Sequence, residues 1–119
     1  MHEVVSLGSV NVDHVGYLSD DAVVTLERQY DWLPAPGETT AVESVPNEFV
    51  DRLTEVSLGG KGANQAVAAA HAGADTAFLG CVGDDASEYG VCSGVGGHGV
   101  DVSDVARVDG PTGSAYIVV

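Results

Sequence analysis

Residues 58–70 read LGGKGANQAVAAA, a glycine turn that leads directly into a run composed mostly of alanine. Alanine is the strongest helix former and Gly73 is a typical helix end, so the sequence predicts a helix over residues 63–72. Working outward, we predict strands at residues 4–10 and 76–82 on either side of this helix. Strand, glycine turn, helix and strand in this order are typical of an α/β fold with a parallel sheet.

The other elements are predicted from shorter patterns. A helix is expected around residues 22–30. Asp85 and Glu88, three residues apart, resemble a capping box and predict that a second short helix follows, limited by glycines such as Gly90. Further strands are expected at residues 39–45, 105–108 and 114–119. Residues 49–58 favour a strand over a helix within a loop.

Lys61 is the only lysine of the chain, and it lies inside the glycine turn. Glycines let backbone N–H groups approach a ligand, and a helix N-terminus favours negative charge or polar oxygens. The lysine adds three hydrogen-bond donors, and Asn64 lies on the same side of the predicted helix. The turn is not a Walker A loop, because Gly62 stands where Ser or Thr is required. From the residues alone, a turn that caps the helix, with Lys61 in solvent, stays open.

A second polar pair follows the first predicted strand. Asn11 and Asp13 are two residues apart, so alternation puts both side chains on one face. In open α/β sheets ligands bind outside the carboxyl ends of the strands, where an amide and a carboxylate together suit adjacent hydroxyls of a sugar. The alternative is that both residues stabilise a turn.

The composition is strongly acidic, with 18 Asp and Glu residues, four Lys and Arg residues and a net charge of −14. Such a surface repels nucleic acid and anionic membranes. The composition favours a halophilic protein over an ordinary acidic one. In a high-salt cytosol, salt screens the repulsion between the negative charges of the chain. We expect a cytoplasmic protein, since no signal peptide or membrane-spanning run is seen. Neither the two cysteines nor the four histidines have metal-ligand spacing, so no metal site is predicted.

Four segments carry a resemblance to a known family: GSVNVDH at residues 8–14, PGET at 36–39, GGKGANQAVAAA at 59–70 and GCVGDD at 80–85. The chain resembles the ribokinase-like members of the PfkB family of carbohydrate kinases, whose N-terminal signature is the third segment. The resemblance implies a Rossmann-like parallel sheet with helices and a small β-sheet lid. Residues 1–119 would form the N-terminal portion of such a domain, with lid strands around 36–58 and 112–119.

The same resemblance implies a site and a reaction. Family members transfer the γ-phosphoryl group of ATP to a sugar hydroxyl, with Mg²⁺ and often a monovalent cation such as K⁺. The family's catalytic Gly-Ala-Gly-Asp signature does not occur in this sequence, so we expect no catalytic residue, no ATP-binding region and no activity from the chain alone. By resemblance, the residues that bind the sugar are Asn11, Asp13, Gly59, Gly60, Lys61 and Asn64.

The leading hypothesis is therefore a sugar kinase whose sugar-binding part lies in this chain, dimerising through the lid strands. Within the same class, a nucleoside or fructose kinase fragment is the alternative. From other classes, a non-catalytic sugar-binding or dimerisation module and a structural fragment without ligand remain.

Overall fold

A computed structural model describes all residues, 1–119, and contains eight strands and four helices. The helices have 4 to 11 residues, and none is long and apolar enough to cross a membrane. The helices are α1 (Asp20–Gln29), α2 (Asn47–Val50), α3 (Lys61–His71) and α4 (Val91–Gly96). The strands are β1 (Val4–Leu7), β2 (Asn11–Gly16), β3 (Glu55–Gly59), β4 (Thr76–Leu79), β5 (Cys81–Val82), β6 (Val100–Asp101), β7 (Ala106–Arg107) and β8 (Ser114–Val118).

The chain forms two compact units, each with its own hydrophobic core. The first unit comprises Met1–Asp13 and Val56–Ala115, and the second comprises His14–Glu55 and Tyr116–Val119. One of the three sheets has the strand order β3-β2-β8, and another pairs β5 with β7.

The first unit is built on a parallel sheet in the order β1-β4-β6. Helix α3 contacts all three of these strands. Its fully buried residues are the small Gly62, Ala63 and Ala66, and the partly buried Val67 and Ala70 also pack against the core. The predicted α/β class with a parallel sheet is confirmed, and the alanine-rich helix begins two residues earlier than predicted.

The core of the first unit consists mainly of valine and alanine. Phe78, with 1% of its surface exposed, is its largest fully buried side chain. Val12 and Val91 are buried to a similar degree. Each such side chain contributes on the order of 1.5–3 kcal/mol relative to an exposed position.

The second unit is organised by α1 and by aromatic packing. Helix α1 begins after Ser19, whose hydroxyl accepts a hydrogen bond of 3.2 Å from the backbone N–H of Ala22. This N-cap satisfies one of the free donors of the first turn. Leu26 of the helix is fully buried with Phe49 and Leu53. The predicted helix around residues 22–30 is confirmed.

Several predicted strands are wrong in extent or absent. Residues 39–45 form no strand, and residues 49–58 divide between the end of α2 and most of β3. The apolar run 76–82 is interrupted at Gly80, which separates β4 from β5 in another sheet. A Cβ at Gly80 would lie 2.7 Å from the carbonyl oxygen of Gly8, so the chain is too close there for any side chain.

The predicted capping box at Asp85 is also wrong, because residues 84–90 form turns and α4 begins only at Val91. The Asp85 carboxylate instead accepts hydrogen bonds from the hydroxyl of Thr112 at 2.6 Å and from its backbone N–H at 2.8 Å. The Thr112 hydroxyl accepts from the N–H of Gly83 at 2.9 Å. The hydrogen bond from the Thr112 hydroxyl is the main cause that lowers the pKa of Asp85, and the bond from the Thr112 backbone N–H lowers it further. The carboxylate therefore connects two loops rather than starting a helix.

His2 connects two acidic residues next to strands of the parallel sheet. Its Nδ1 lies 2.8 Å from Asp75, which precedes β4, and its Nε2 lies 3.0 Å from Asp101 at the end of β6. The hydrogen bond with Asp75, with smaller contributions from both carboxylate charges, raises the pKa of His2. Hydrogen bonds from Ser103 lower the pKa of Asp101, and the charge and hydrogen bond of His2 lower it to a smaller extent. The folded chain therefore favours the protonated imidazole.

We expect the free energy of unfolding to fall as the pH rises from about 6.5, the ordinary histidine pKa, through the higher pKa of folded His2. His2→Asn should lower the free energy of unfolding on the acid side of this range. It should also remove most of the change in this free energy with pH. Urea unfolding between about pH 6 and pH 9 measures both effects. His98→Asn, another exposed histidine, is the control and should keep the dependence. An unchanged pH profile in His2→Asn would contradict the interpretation.

Candidate functional site

Two polar side chains point from the same face of β2. Asn11 and Asp13 are half-buried. Val12 and His14 alternate with them along the strand and are buried on the other face. The predicted shared face is therefore confirmed. Their position differs from the prediction, because they do not end the first strand but begin the second.

Gly59, at the end of β3, lies directly against the carboxylate of Asp13. A Cβ at residue 59 would overlap Oδ2 of Asp13 and lie 2.8 Å from its Cγ. Any side chain at this position would therefore displace the carboxylate. The glycine that the sequence motif contains is required here by the approach of Asp13, which accounts for Gly59 without assuming a ligand.

A second glycine lies beside Asn11. A Cβ at Gly113, immediately before β8, would lie 2.9 Å from Oδ1 of Asn11. The backbone N–H of Val12 donates to the carbonyl of Gly113 at 2.8 Å. Both polar side chains of β2 are therefore accommodated next to glycines, Asn11 by Gly113 and Asp13 by Gly59. Sequence reasoning did not identify Gly113 as part of the site.

The glycine turn before α3 is fixed by its backbone. Gly60 has φ +99°, a conformation that L side chains rarely adopt, and a Cβ there would lie 2.6 Å from the carbonyl oxygen of Ser9. That same oxygen accepts from the N–H of Ala63 at 3.0 Å. Lys61 and Asn64 are both exposed in the first turn that follows, three residues apart and thus on one side of the helix.

The start of α3 also touches the chain between β1 and β2. A Cβ at Gly62 would lie 2.7 Å from Cα and from the carbonyl carbon of Gly8. The hydroxyl of Ser6, which is 6% exposed, donates to the carbonyl of Gly62 at 2.7 Å. Ser6 was not predicted, and its only signal is a polar residue within an apolar strand. These contacts hold the helix N-terminus next to the segment that leads into Asn11 and Asp13.

We expect Gly62→Ala to lower the free energy of unfolding by about 1–3 kcal/mol, because the new methyl group meets backbone atoms that cannot move aside. Alanine would otherwise favour a helix over glycine by about 1 kcal/mol. Gly96→Ala in α4 is the matched control, since its Cβ would meet only Val102 Cγ2, at 3.5 Å. It should be neutral or stabilising. Equal effects of the two substitutions, measured by chemical unfolding, would show that the contact of Gly62 with Gly8 does not limit stability.

A cleft of about 240 Å³ lies elsewhere in the first unit, and none of the predicted sugar-binding residues lines it. It is lined by Ser87, Ser93 and Arg107, among others, and the Arg107 guanidinium donates to the Ser87 hydroxyl at 3.3 Å. The candidate site on β2 is thus identified by its polar groups and glycines, not by enclosure.

Known proteins share this fold and this sequence pattern. Residues 38–119 match the model of the pfkB family carbohydrate kinases. The chain is 38% identical over 124 residues to the ribokinase of Schizosaccharomyces pombe, covering 100% of this chain and 33% of that protein. It is 33% identical over 114 residues to the ribokinase of Haemophilus influenzae, covering 95% of this chain and 30% of that protein.

The structural comparison agrees. Arabidopsis thaliana ribokinase, solved in complex with ribose and ATP, superposes with a TM-score of 0.64 at 29% identity, covering 98% of this chain and 32% of that chain. The fold is thus that of the ribokinase-like α/β proteins. The chain belongs to the pfkB family of carbohydrate kinases. It spans a third or less of the length of the curated relatives it matches.

Proposed function

We propose that this chain supplies the sugar-binding part of a carbohydrate kinase that transfers the γ-phosphoryl group of ATP to a sugar hydroxyl. The observation that carries the proposal is the shared face of Asn11 and Asp13, each next to a glycine that leaves room for it. Ribose is the first substrate to test, because the similar Arabidopsis ribokinase was solved with ribose and ATP.

The chemistry of the site suits a polyhydroxyl ligand. Each sugar hydroxyl both donates and accepts, the Asp13 carboxylate accepts two or more hydrogen bonds, and the Asn11 amide does both. Hydrogen bonds to a charged carboxylate are stronger than those between neutral groups. In this proposal the backbone of Gly59 and Gly60 contacts the sugar, and Lys61 and Asn64 complete the pocket. Holding the sugar in one orientation is itself a catalytic contribution in phosphoryl transfer.

The residues of this chain do not fit a triphosphate with its metal ion. There are four Lys and Arg residues in total, and no group of three or more His, Cys, Asp or Glu side chains could hold a metal. Phosphoryl transfer depends on cations and N–H groups directed at the γ-phosphate and on a base near the attacking hydroxyl. We therefore infer that ATP, Mg²⁺ and any K⁺ bind outside these residues, and that the chain alone does not turn over ATP.

Three finer predictions have different degrees of support. Dimerisation through the lid strands is supported by the exposed Tyr116 and Ile117 of β8, which are 37% and 38% exposed. The net charge of −14 supports a halophilic protein, and a cytoplasmic location stays a prediction. A nucleoside or fructose kinase fragment predicts a different ligand preference in the titration below. A non-catalytic sugar-binding module predicts the same ribose binding without phosphoryl transfer.

The proposal is tested by calorimetric titration of the chain with ribose, adenosine and fructose in about 2 M KCl, which screens its charge. Ribose should bind with saturation, and Asp13→Asn should weaken binding by about 10–150-fold, because two or more hydrogen bonds to a charged group become neutral. Addition of ATP should produce no sugar phosphate.

Asp104→Asn is the matched control, since Asp104 is an exposed aspartate of the same unit outside the candidate site. It should bind ribose as the unchanged chain does. Tighter binding of adenosine or fructose would favour the alternative substrate, and equal losses in both variants would reflect charge alone. Absence of saturable binding by a folded chain would overturn the proposed sugar-binding role, and formation of sugar phosphate would overturn the inferred lack of activity.

A further inference from the structure

Two exposed histidines, 27 residues apart in sequence, meet in the first unit. Nε2 of His71 lies 3.0 Å from Nδ1 of His98, a hydrogen bond in which one imidazole donates to the other. The ring centroids are 5.0 Å apart, and the ring planes are inclined at 56°. This pair could not be predicted from the sequence, because the separation of 27 residues matches no metal-ligand spacing.

Structured backbone holds both residues. His71 is the last residue of α3, and His98 lies between α4 and β6. Strand β6 contacts both α3 and α4. The backbone N–H of His98 donates to the carbonyl of Val95 at 3.2 Å, and Gly99 turns the chain with φ +86°. The imidazoles therefore meet because the fold brings two helix ends together.

We propose that His71 and His98 form a binding site for a borderline divalent transition-metal cation such as Cu²⁺ or Ni²⁺. Two nitrogen ligands at about 2.0–2.1 Å from one ion and about 90° apart lie about 2.8–3.0 Å from each other. The observed separation of 3.0 Å matches this arrangement. A tetrahedral ion would place the nitrogens about 3.3 Å apart, so adjacent positions of a tetragonal or octahedral ion fit better.

The site has two protein ligands, because no group of three or more His, Cys, Asp or Glu side chains surrounds a common point. Water completes the coordination sphere. Metal binding replaces the hydrogen bond between the rings, because the imidazole that donates it changes tautomer and its proton moves to the outer nitrogen through water. Both imidazoles are then neutral, with protons on Nδ1 of His71 and Nε2 of His98, and the facing nitrogens bind the ion. Imidazole ligands select Cu²⁺, Ni²⁺ and Zn²⁺ over Mg²⁺ and Ca²⁺, which prefer oxygen. The strongly negative chain attracts the cation to the surface.

His2 is the competing ligand that the experiment must separate. It lies beside two carboxylates and one residue from the N-terminal amine, a second arrangement that binds Cu²⁺. Titration with Cu²⁺, followed by electron paramagnetic resonance, is therefore done on the unchanged chain and on His71→Asn, His98→Asn and His2→Asn. Circular dichroism confirms that each variant is folded, and His71→Gln and His98→Gln serve as second variants of each position.

We expect one Cu²⁺ ion to bind at this site, with hyperfine coupling of the ion to two nitrogens. This signal should remain in His2→Asn. His71→Asn and His98→Asn should each weaken binding by about tenfold or more and leave at most one of these nitrogens coordinated. Ni²⁺ should raise the thermal unfolding midpoint of the unchanged chain and of His2→Asn, but not of the other two variants. Two-nitrogen coordination at unchanged affinity in His71→Asn and in His98→Asn, each made together with His2→Asn, would overturn the proposal. Loss of the site in His2→Asn alone would overturn it too.

Discussion

The structure of the first unit depends on the close backbone contact between Gly62, at the start of α3, and Gly8, between β1 and β2. A Cβ at Gly62 would lie 2.7 Å from the Gly8 backbone, and Ser6 donates a hydrogen bond to the Gly62 carbonyl across the same contact. Protein interiors are packed too densely to absorb an added methyl group against a rigid backbone. The glycine-rich motif is thus first a packing requirement, and the polar surface on β2 is built next to it.

The polar surface on β2 contains residues of the segments that carry the family resemblance. Asn11 and Asp13 extend from one face of β2, where Gly113 and Gly59 leave space for their polar groups. The proposal of a sugar-binding part starts from this polar surface. The chain has four cationic side chains in total, and we propose that the triphosphate is bound by residues outside it.

Local patterns in the sequence predicted part of this arrangement. Alanine content predicted α3, and alternation predicted the shared face of Asn11 and Asp13, because both depend on properties of a few neighbouring residues. The break at Gly80 and the loop connection of Asp85 with Thr112 could not be predicted, because both arise from contacts between residues distant in sequence. The meeting of His71 with His98 has the same origin. Residues 39–45 alternate weakly but form no strand, which shows that alternation without a pairing partner is insufficient.

The central claim is that Asn11, Asp13 and the turn at residues 59–64 form one sugar-binding surface on this chain. Titration of isotope-labelled chain with ribose, followed by amide chemical shifts in about 2 M KCl, tests it directly. The account predicts saturable shifts concentrated at residues 11–13 and 59–64, with the amides of the loop joining β6 and β7 unchanged. Saturable shifts confined to other residues, or no shifts in a folded chain, would contradict it.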